Sequence, residues 1–477
     1  MNKFYITAAI PYVNAAPHIG HALEFVQTDA IARYHRLLGE DVFVLSGGDE
    51  NALKNVQAAE QASAPIQEFV DRNTQRFYEL TKALNAQFDI WQKGSDKERH
   101  YPSSQKLWEL CKKNGDIYKK EYTGLYCVGC EAFYSPEELK DGECLEHPGQ
   151  KLERVTEENY FFKLSRYQNQ LIKIIENDEY KIVPETRKNE VLSFLKSGLQ
   201  DISISRSNER AKNWGVPVPG DSTQRIYVWF DALNIYQSGV GFGWDEEKYN
   251  KWWPANVHVI GKGILRFHAV YWPAFLLSAN LALPKSLFVH GYFTVNGQKM
   301  SKTLGNVVDP FKLIEQYGAE AVRYYLLAKF SPFTDGDFSE QKFREVYNAD
   351  LANGLGNLAS RIAKLAETSG IDFPSTKIEF KDNVFEDYHG WFKKFRFNEV
   401  CASVWNKIDA ANKLIDDNRP WEKESRELGV ILDPLVGEIR EIAVLLKPFL
   451  PQTAEKIEKQ FSGPIIKSAE PLFPRLG

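Results

Sequence analysis

The fold is decided by Lys3-Phe4-Tyr5-Ile6-Thr7-Ala8-Ala9-Ile10-Pro11-Tyr12-Val13-Asn14-Ala15-Ala16-Pro17-His18-Ile19-Gly20-His21. Lys3–Ile10 reads as a short β-type run, Pro11–Pro17 as a turn, and His18 to about Leu38 as a helix. A second strand, Asp41–Leu45, ends in Ser46-Gly47-Gly48-Asp49, and a further helix spans roughly Pro65–Asn85. This alternation implies a parallel sheet with right-handed crossovers, whose ligands sit off the carboxyl ends of its strands. The segment Pro17–His21 lies at such an end. Free N–H groups and the helix dipole make that place an anion site. Gly20 lets a ligand approach the backbone, and His18 and His21, three apart, can donate to phosphate oxygens. Taken alone, the four letters also describe a capped helix with two surface histidines.

Working outward, Tyr118–Phe162 breaks into short aromatic runs with Cys, Gly and Pro, the pattern of an inserted module. Arg225–Phe230 resumes the strand pattern, and Val257–Ile260 and Ser286–His290 are further strands, each followed by glycine. From about Pro310 the β signal ends. Phe343–Ala366, Trp391–Asp417 and Leu428–Lys447 show helical periodicity, so a helical bundle forms the last third. The expected fold is α/β: a Rossmann-type parallel-sheet catalytic domain with a zinc-knuckle insertion, followed by an all-α bundle. The domains expected are 1–115 and 224–290 for the two halves of the sheet domain, and 116–223 for the insertion, with its knuckle at about 120–160. A loop and stem-contact region follows at 291–342, then the helical domain at 343–477.

Composition narrows the class. With 477 residues, 43% apolar, 26% charged and a net charge of −5, the chain has the make-up of a soluble multidomain protein. No apolar run reaches the roughly 18 residues a membrane span needs. The start, with one basic residue and an early proline, reads as a strand and not as a targeting signal. A cytoplasmic protein is expected. Five cysteines do not make a disulfide framework. Cys127-x-x-Cys130 and Cys144-x-x-His147 are two ligand pairs separated by thirteen residues. They suit one tetrahedral Zn²⁺ per chain, structural because protein fills all four positions. Cys111 and Cys401 lie on helical patterns and read as packed thiols.

A second basic signature is Lys299-Met300-Ser301-Lys302-Thr303, flanked by Gly297 and Gly305 as a mobile loop would be. Its two lysines can follow a departing pyrophosphate. An early His-x-Gly-His and a late Lys-Met-Ser-Lys on loops of one α/β fold resemble the class I aminoacyl-tRNA synthetases. Three further segments resemble the methionyl branch: Ala8–Asn14, Tyr227-Val228-Trp229-Phe230-Asp231-Ala232-Leu233 with Tyr236 beyond, and Ile260–His268.

The resemblance implies activation of methionine with Mg²⁺–ATP and transfer to the 3′ ribose of tRNA(Met), the initiator included. It implies catalytic roles for His18, His21, Lys299 and Lys302, with Gly20 and Ser301 completing the ATP site. Ile10, Tyr12, Asp49, Trp229, Ala232, Leu233, Tyr236, Ile264 and His268 would hold L-methionine, in keeping with an apolar, aromatic-walled pocket for a thioether. Asp49 would take the ammonium. Asn357, Arg361 and Trp421 would read the anticodon, through base-edge hydrogen bonds and stacking. The chain stops soon after the bundle, without the extra tRNA-binding barrel of some members, which implies a monomer. An insertion of about 110 residues implies no separate editing domain.

Two departures stand out. The family's Asp-Glu-His-Gly is Asp49-Glu50-Asn51-Ala52 here, and its Gly-Lys-Asp is Gly261-Lys262-Gly263, which removes a carboxylate near the adenosine end. These are the only features that favour a silent paralogue, and both intact signature motifs with the anticodon set argue for an active enzyme; the aromatic pocket set disfavours a rival amino acid such as leucine, valine or cysteine.

Overall fold

The computed structural model describes residues 2–477 apart from 128–131, 135–138, 140, 145–148, 150–151, 301–304, 377 and 382–384, and apart from the side chains of 132, 133 and 425. Six parallel strands form the central sheet: β1 (Lys3–Ala8), β2 (Asp41–Gly48), β3 (Ile90–Lys93), β4 (Lys181–Val183), β5 (Val257–Gly261) and β6 (Ser286–His290). Their order across the sheet is β3-β2-β1-β5-β6-β4. The direction of progression reverses between β1 and β5, where Ile6 pairs with Val257 and Ala8 with Val259. A crevice at such a reversal is where open α/β sheets bind ligands.

Alternation along the strands separates two cores. Phe4, Ile6, Ala8, Val42, Val44, Val257 and Val259 face the helix Ile19–Leu37. Tyr5, Leu45, Ile260, Leu287 and Val289 face Trp229, Tyr236 and the helix Trp272–Ser278. Cover on both faces explains why these strands read as continuous apolar runs. The first core continues into the helices of the last third through Leu358, Ile362, Val404, Leu432 and Ile442. Sheet domain and bundle therefore share buried surface.

One buried ion pair joins them. Arg323, fully buried on the helix Ala319–Ala328, meets the Asp29 carboxylate at 2.8 Å. It also donates to the carbonyls of Leu84, Pro448 and Phe449. Asp29 in turn accepts from Arg33 and from the Gln87 backbone. The pair thus fixes the helix Ile19–Leu37, the end of the helix Ile66–Ala83, and the turn before Pro451–Gln460 to one point.

Three details depart from the sequence reading. The run Arg225–Phe230 is not one strand: Asp221–Ile226 is extended, but Val228–Leu233 is a helix. A short run buried on all sides carries no period to tell the two apart. Within 116–223, Lys181–Val183 belongs to the parallel sheet, next to Ser286–Phe288, and three residues are too few to show a pattern. Past Pro310, Gly336–Phe338 still pairs with Phe293–Val295. The inserted aromatic stretch is a long antiparallel hairpin, Ile117–Cys127 against Glu153–Phe162. Cys111 and Cys401 are buried on helices, and burial raises the Cys111 thiol to about 12.

Candidate active site

The helix at the switch point begins on its histidines. His18 is the N-cap, and its Nδ1 accepts from the Gly20 N–H at 3.1 Å, while His21 Nδ1 accepts from the His18 N–H at 3.1 Å. These reciprocal bonds place the remaining ring proton of each imidazole on Nε2, which makes each a donor. The rings lie 3.9 Å apart. Burial, then His18 and His290, hold the His21 pKa well below the ordinary histidine value, so it donates as a neutral ring. A Cβ on Gly20 would sit 3.0 Å from His18 Cε1, which would push the ring off its cap.

The second signature meets this helix start. The Ile19 N–H donates to the Val308 carbonyl at 3.1 Å. The Met300 methyl lies 3.9 Å from the position of a Gly20 Cβ. Lys299 closes a small sheet by pairing with Thr294 and is exposed. Ser301 and Lys302 lie outside the described residues.

Ring contacts assemble the expected amino-acid pocket. Tyr12 bridges to Asp49 along the backbone and packs edge-on against Trp229 at 6.0 Å. Trp229 stacks on Phe267 at 3.7 Å and approaches His268 at 6.3 Å. The Tyr236 hydroxyl meets His268 Nε2 at 2.8 Å, and His268 Nδ1 meets the Ile264 carbonyl at 2.9 Å. Nδ1 must donate to that carbonyl, so Nε2 accepts from the tyrosine. Burial lowers the His268 pKa to about 4 and, as the largest cause, raises that of Tyr236. This pair therefore stays uncharged near neutrality. Ala232 and Leu233 are buried on the helix that carries Trp229, and Ile10 packs part-buried on the same core. Asp49, 2% exposed, is the carboxylate at this wall.

Both sequence departures have structural partners. Asn51 donates to Asp231 at 2.6 Å and to the Gly94 carbonyl at 2.7 Å. Asp231 also accepts from Ser104 and meets His100 at 2.8 Å, all of them buried. Asn51 is thus occupied behind the pocket. The Gly263 N–H donates to the Tyr292 hydroxyl at 2.6 Å, and Lys262 pairs with Asp335 at 2.7 Å.

Sequence reasoning missed two members. Glu24, one turn beyond His21, accepts from the Ala9 N–H at 2.9 Å and meets His290 Nε2 at 3.0 Å. Phe267 backs the Trp229 ring. The spacing of Glu24 from His21, and the glycine after the β6 histidine, were the available signals.

Of the metal-ligand set, Cys127 and Cys144 are buried, and Cys130 and His147 lie outside the described residues. In the helical third, Asn357 and Arg361 share one side of the helix Asn357–Ser369. Arg361 pairs with Asp416 at 2.5 Å. Five residues beyond Asp416, Trp421 is 56% exposed on the turn Pro420–Glu422.

The model of the family described as tRNA synthetases class I (M) matches residues 4–363. A methionine–tRNA ligase of Thermotoga maritima is 42% identical over 96% of this chain and 75% of its own length. One from Brucella suis is 40% identical over 99% of this chain and 98% of its own. The Mycobacterium tuberculosis methionyl-tRNA synthetase in complex with methionyl-adenylate superposes with a TM-score of 0.92, at 37% identity and full coverage of both chains. With a matching fold, a histidine helix start that touches the lysine loop, and relatives that align end to end, this chain belongs to the methionyl-tRNA synthetases of class I.

Proposed function

We infer that this chain is a methionine–tRNA ligase: it forms methionyl-adenylate and pyrophosphate from methionine and ATP, then transfers the methionyl group to the 3′-terminal ribose of tRNA. The observation that carries this reading is the meeting of the two signature segments: the Ile19 N–H donates to the Val308 carbonyl, five residues past the lysine motif, and the Met300 methyl lies 3.9 Å from where a Gly20 Cβ would stand, next to an aromatic pocket with a buried carboxylate.

In the first step the methionine carboxylate attacks the α-phosphorus in line and pyrophosphate leaves with its charge. His18 and His21 donate Nε2–H bonds to the phosphates, and Lys299 and Lys302 neutralise the leaving group, with Gly20 and Ser301 completing the cradle. Donors fixed before the substrate arrives lower the barrier without reorganisation. Asp49 takes the ammonium. Tyr12, Trp229, Tyr236 and His268, with Ile10, Ala232, Leu233 and Ile264, enclose the thioether. Mg²⁺ enters with ATP.

Cys127, Cys130, Cys144 and His147 hold a structural zinc. The donor chemistry fits: Cys127 ends a strand and Cys144 follows a turn with positive φ at Asp141 and Gly142, both thiols buried. Asn357, Arg361 and Trp421 read the anticodon of tRNA(Met), initiator included. The enzyme acts as a cytoplasmic monomer; among the described residues no helix is long and apolar enough to cross a membrane.

Methionine-dependent ATP–pyrophosphate exchange, run beside leucine, isoleucine, valine and cysteine, tests the reading. Exchange selective for methionine supports it, and none with any of the five from a zinc-loaded sample overturns it. Elemental analysis should give one zinc per chain, lost in Cys144→Ser.

A further inference from the structure

Behind the proposed amino-acid pocket, two distant stretches of chain meet on the buried carboxylate of Asp231, which is 1% exposed. Its Oδ1 accepts from the Ser104 hydroxyl at 2.7 Å and meets His100 Nε2 at 2.8 Å, both on the helix His100–Lys113. Its Oδ2 accepts from the Asn51 amide at 2.6 Å. Asn51 also donates to the Gly94 carbonyl at 2.7 Å, and its buried Oδ1 has no hydrogen-bond partner among the described residues. Two acceptors therefore fix the amide: turned over, its oxygen would face a carboxylate and a carbonyl. Removing a donor from a buried carboxylate leaves a costly unpaired oxygen, so this bond holds both of its ends in place.

Those ends carry different walls of the pocket. Asn51 stands two residues after Asp49 on the stretch leaving β2, and Glu50 between them is pinned by Thr74 and Ser95. Asp231 stands two residues after Trp229 and next to Ala232 on the helix Val228–Leu233. Trp229 packs in the second core, whereas the helix Ile19–Leu37 packs in the first. Resting on the ligase reading, which places the ammonium at Asp49 and the thioether against Trp229, we propose that Asn51 and Asp231 are positioning residues for amino-acid selection. Their bond sets the span from the ammonium carboxylate to the aromatic wall. An amino acid anchored at Asp49 fills that span only with a side chain of the right length. Loosening the bond therefore weakens selection among apolar amino acids and leaves the phosphate donors where they are.

The test uses the full-length, zinc-loaded protein with Asp231→Asn, Asn51→Ala and the double substitution, each checked for folding by its thermal midpoint. ATP–pyrophosphate exchange is followed against ATP, methionine and leucine. Each single substitution should raise the KM for methionine about tenfold, leave the KM for ATP near its original value, and narrow the kcat/KM ratio of methionine over leucine. Because both residues act through one bond, the double variant should exceed neither single variant by much, instead of showing the product of the two effects. An unchanged KM for methionine, equal shifts in both KM values, or multiplying effects in the double variant overturns the proposal. Should a variant fail to fold, Ser104→Ala removes one donor from the same carboxylate. It should raise the KM for methionine alone by a smaller factor, and no rise overturns the proposal. If the unsubstituted protein shows no exchange, the ligase reading fails, and calorimetric binding of methionine then decides the positioning role: affinity lost in Asp231→Asn supports it, and affinity retained overturns it.

Discussion

The helix-start site and the tip of the helical bundle differ in how much of their geometry is settled before a ligand arrives. At the helix start, two imidazoles hold each other's backbone, their protons are assigned, and rings pack around a buried carboxylate. At the bundle tip, Trp421 is more than half exposed and Arg361 is engaged by a surface aspartate. A small reacting group must meet donors placed within fractions of an ångström, and only packed side chains supply that. A base on a large polynucleotide must find an open ring to stack on, and stacking tolerates looser placement. On the proposed reading, Arg323 joins the region of rigid chemistry to the region of open recognition.

The largest effect should come from breaking that junction. Arg323→Met leaves the Asp29 carboxylate buried without its cation and should lower stability by about 3–5 kcal/mol, read by urea unfolding. Unaltered unfolding would mean the two regions are held by apolar contact alone. Next, His21→Ala removes a fixed donor and should cut methionine-dependent exchange about 10²–10³-fold. A loss under tenfold would place the helix start on the same loose footing as the bundle tip. Trp421→Ala should weaken tRNA charging by about 1–3 kcal/mol in kcat/KM and leave exchange near its original rate. Equal loss in both assays would erase the contrast.

A further effect is the pH response. His258 and His268 are buried, and burial depresses both pKa values, His268 to about 4. Below the unfolded value of 6.5 the unfolded chain binds protons that these folded rings refuse, so stability falls with acid. Each contributes about 1.4 kcal/mol per pH unit, until the folded pKa is reached. Unfolding midpoints measured at about pH 7.5 and pH 5.5 check the sign. Neither ring changes charge above pH 6.5, so neither should impose a pH dependence on methionine affinity there.

Much of this was legible locally. The β1 run, the turn and His18–His21 are contiguous, and strand, cap and helix follow from neighbours in sequence. The contact of Met300 with Gly20 was readable only because both motifs belong to a known pair. What the sequence concealed is non-local. Asn51 stands out as a loss from the family pattern, yet its partners Asp231 and Gly94 are distant in the chain, and its amide is fully used as a donor to them. Lys181–Val183 is too short to show alternation, although it extends the sheet. Val228–Phe230 looked extended because a buried helix and a buried strand are equally apolar there. Of the two ligand pairs that the spacing suggests, the structure describes Cys127 and Cys144 alone, both buried.

The Arg323 junction also bears on how such a chain can be divided. Two of its acceptors, the Pro448 and Phe449 carbonyls, lie more than a hundred residues downstream, within the bundle. A cut near residue 342 would leave the sheet domain with a guanidinium stripped of those acceptors and the first core laid open. The bundle is therefore no cassette that recombination could exchange intact: a graft of a foreign recognition module inherits a demand for two carbonyls at a fixed point.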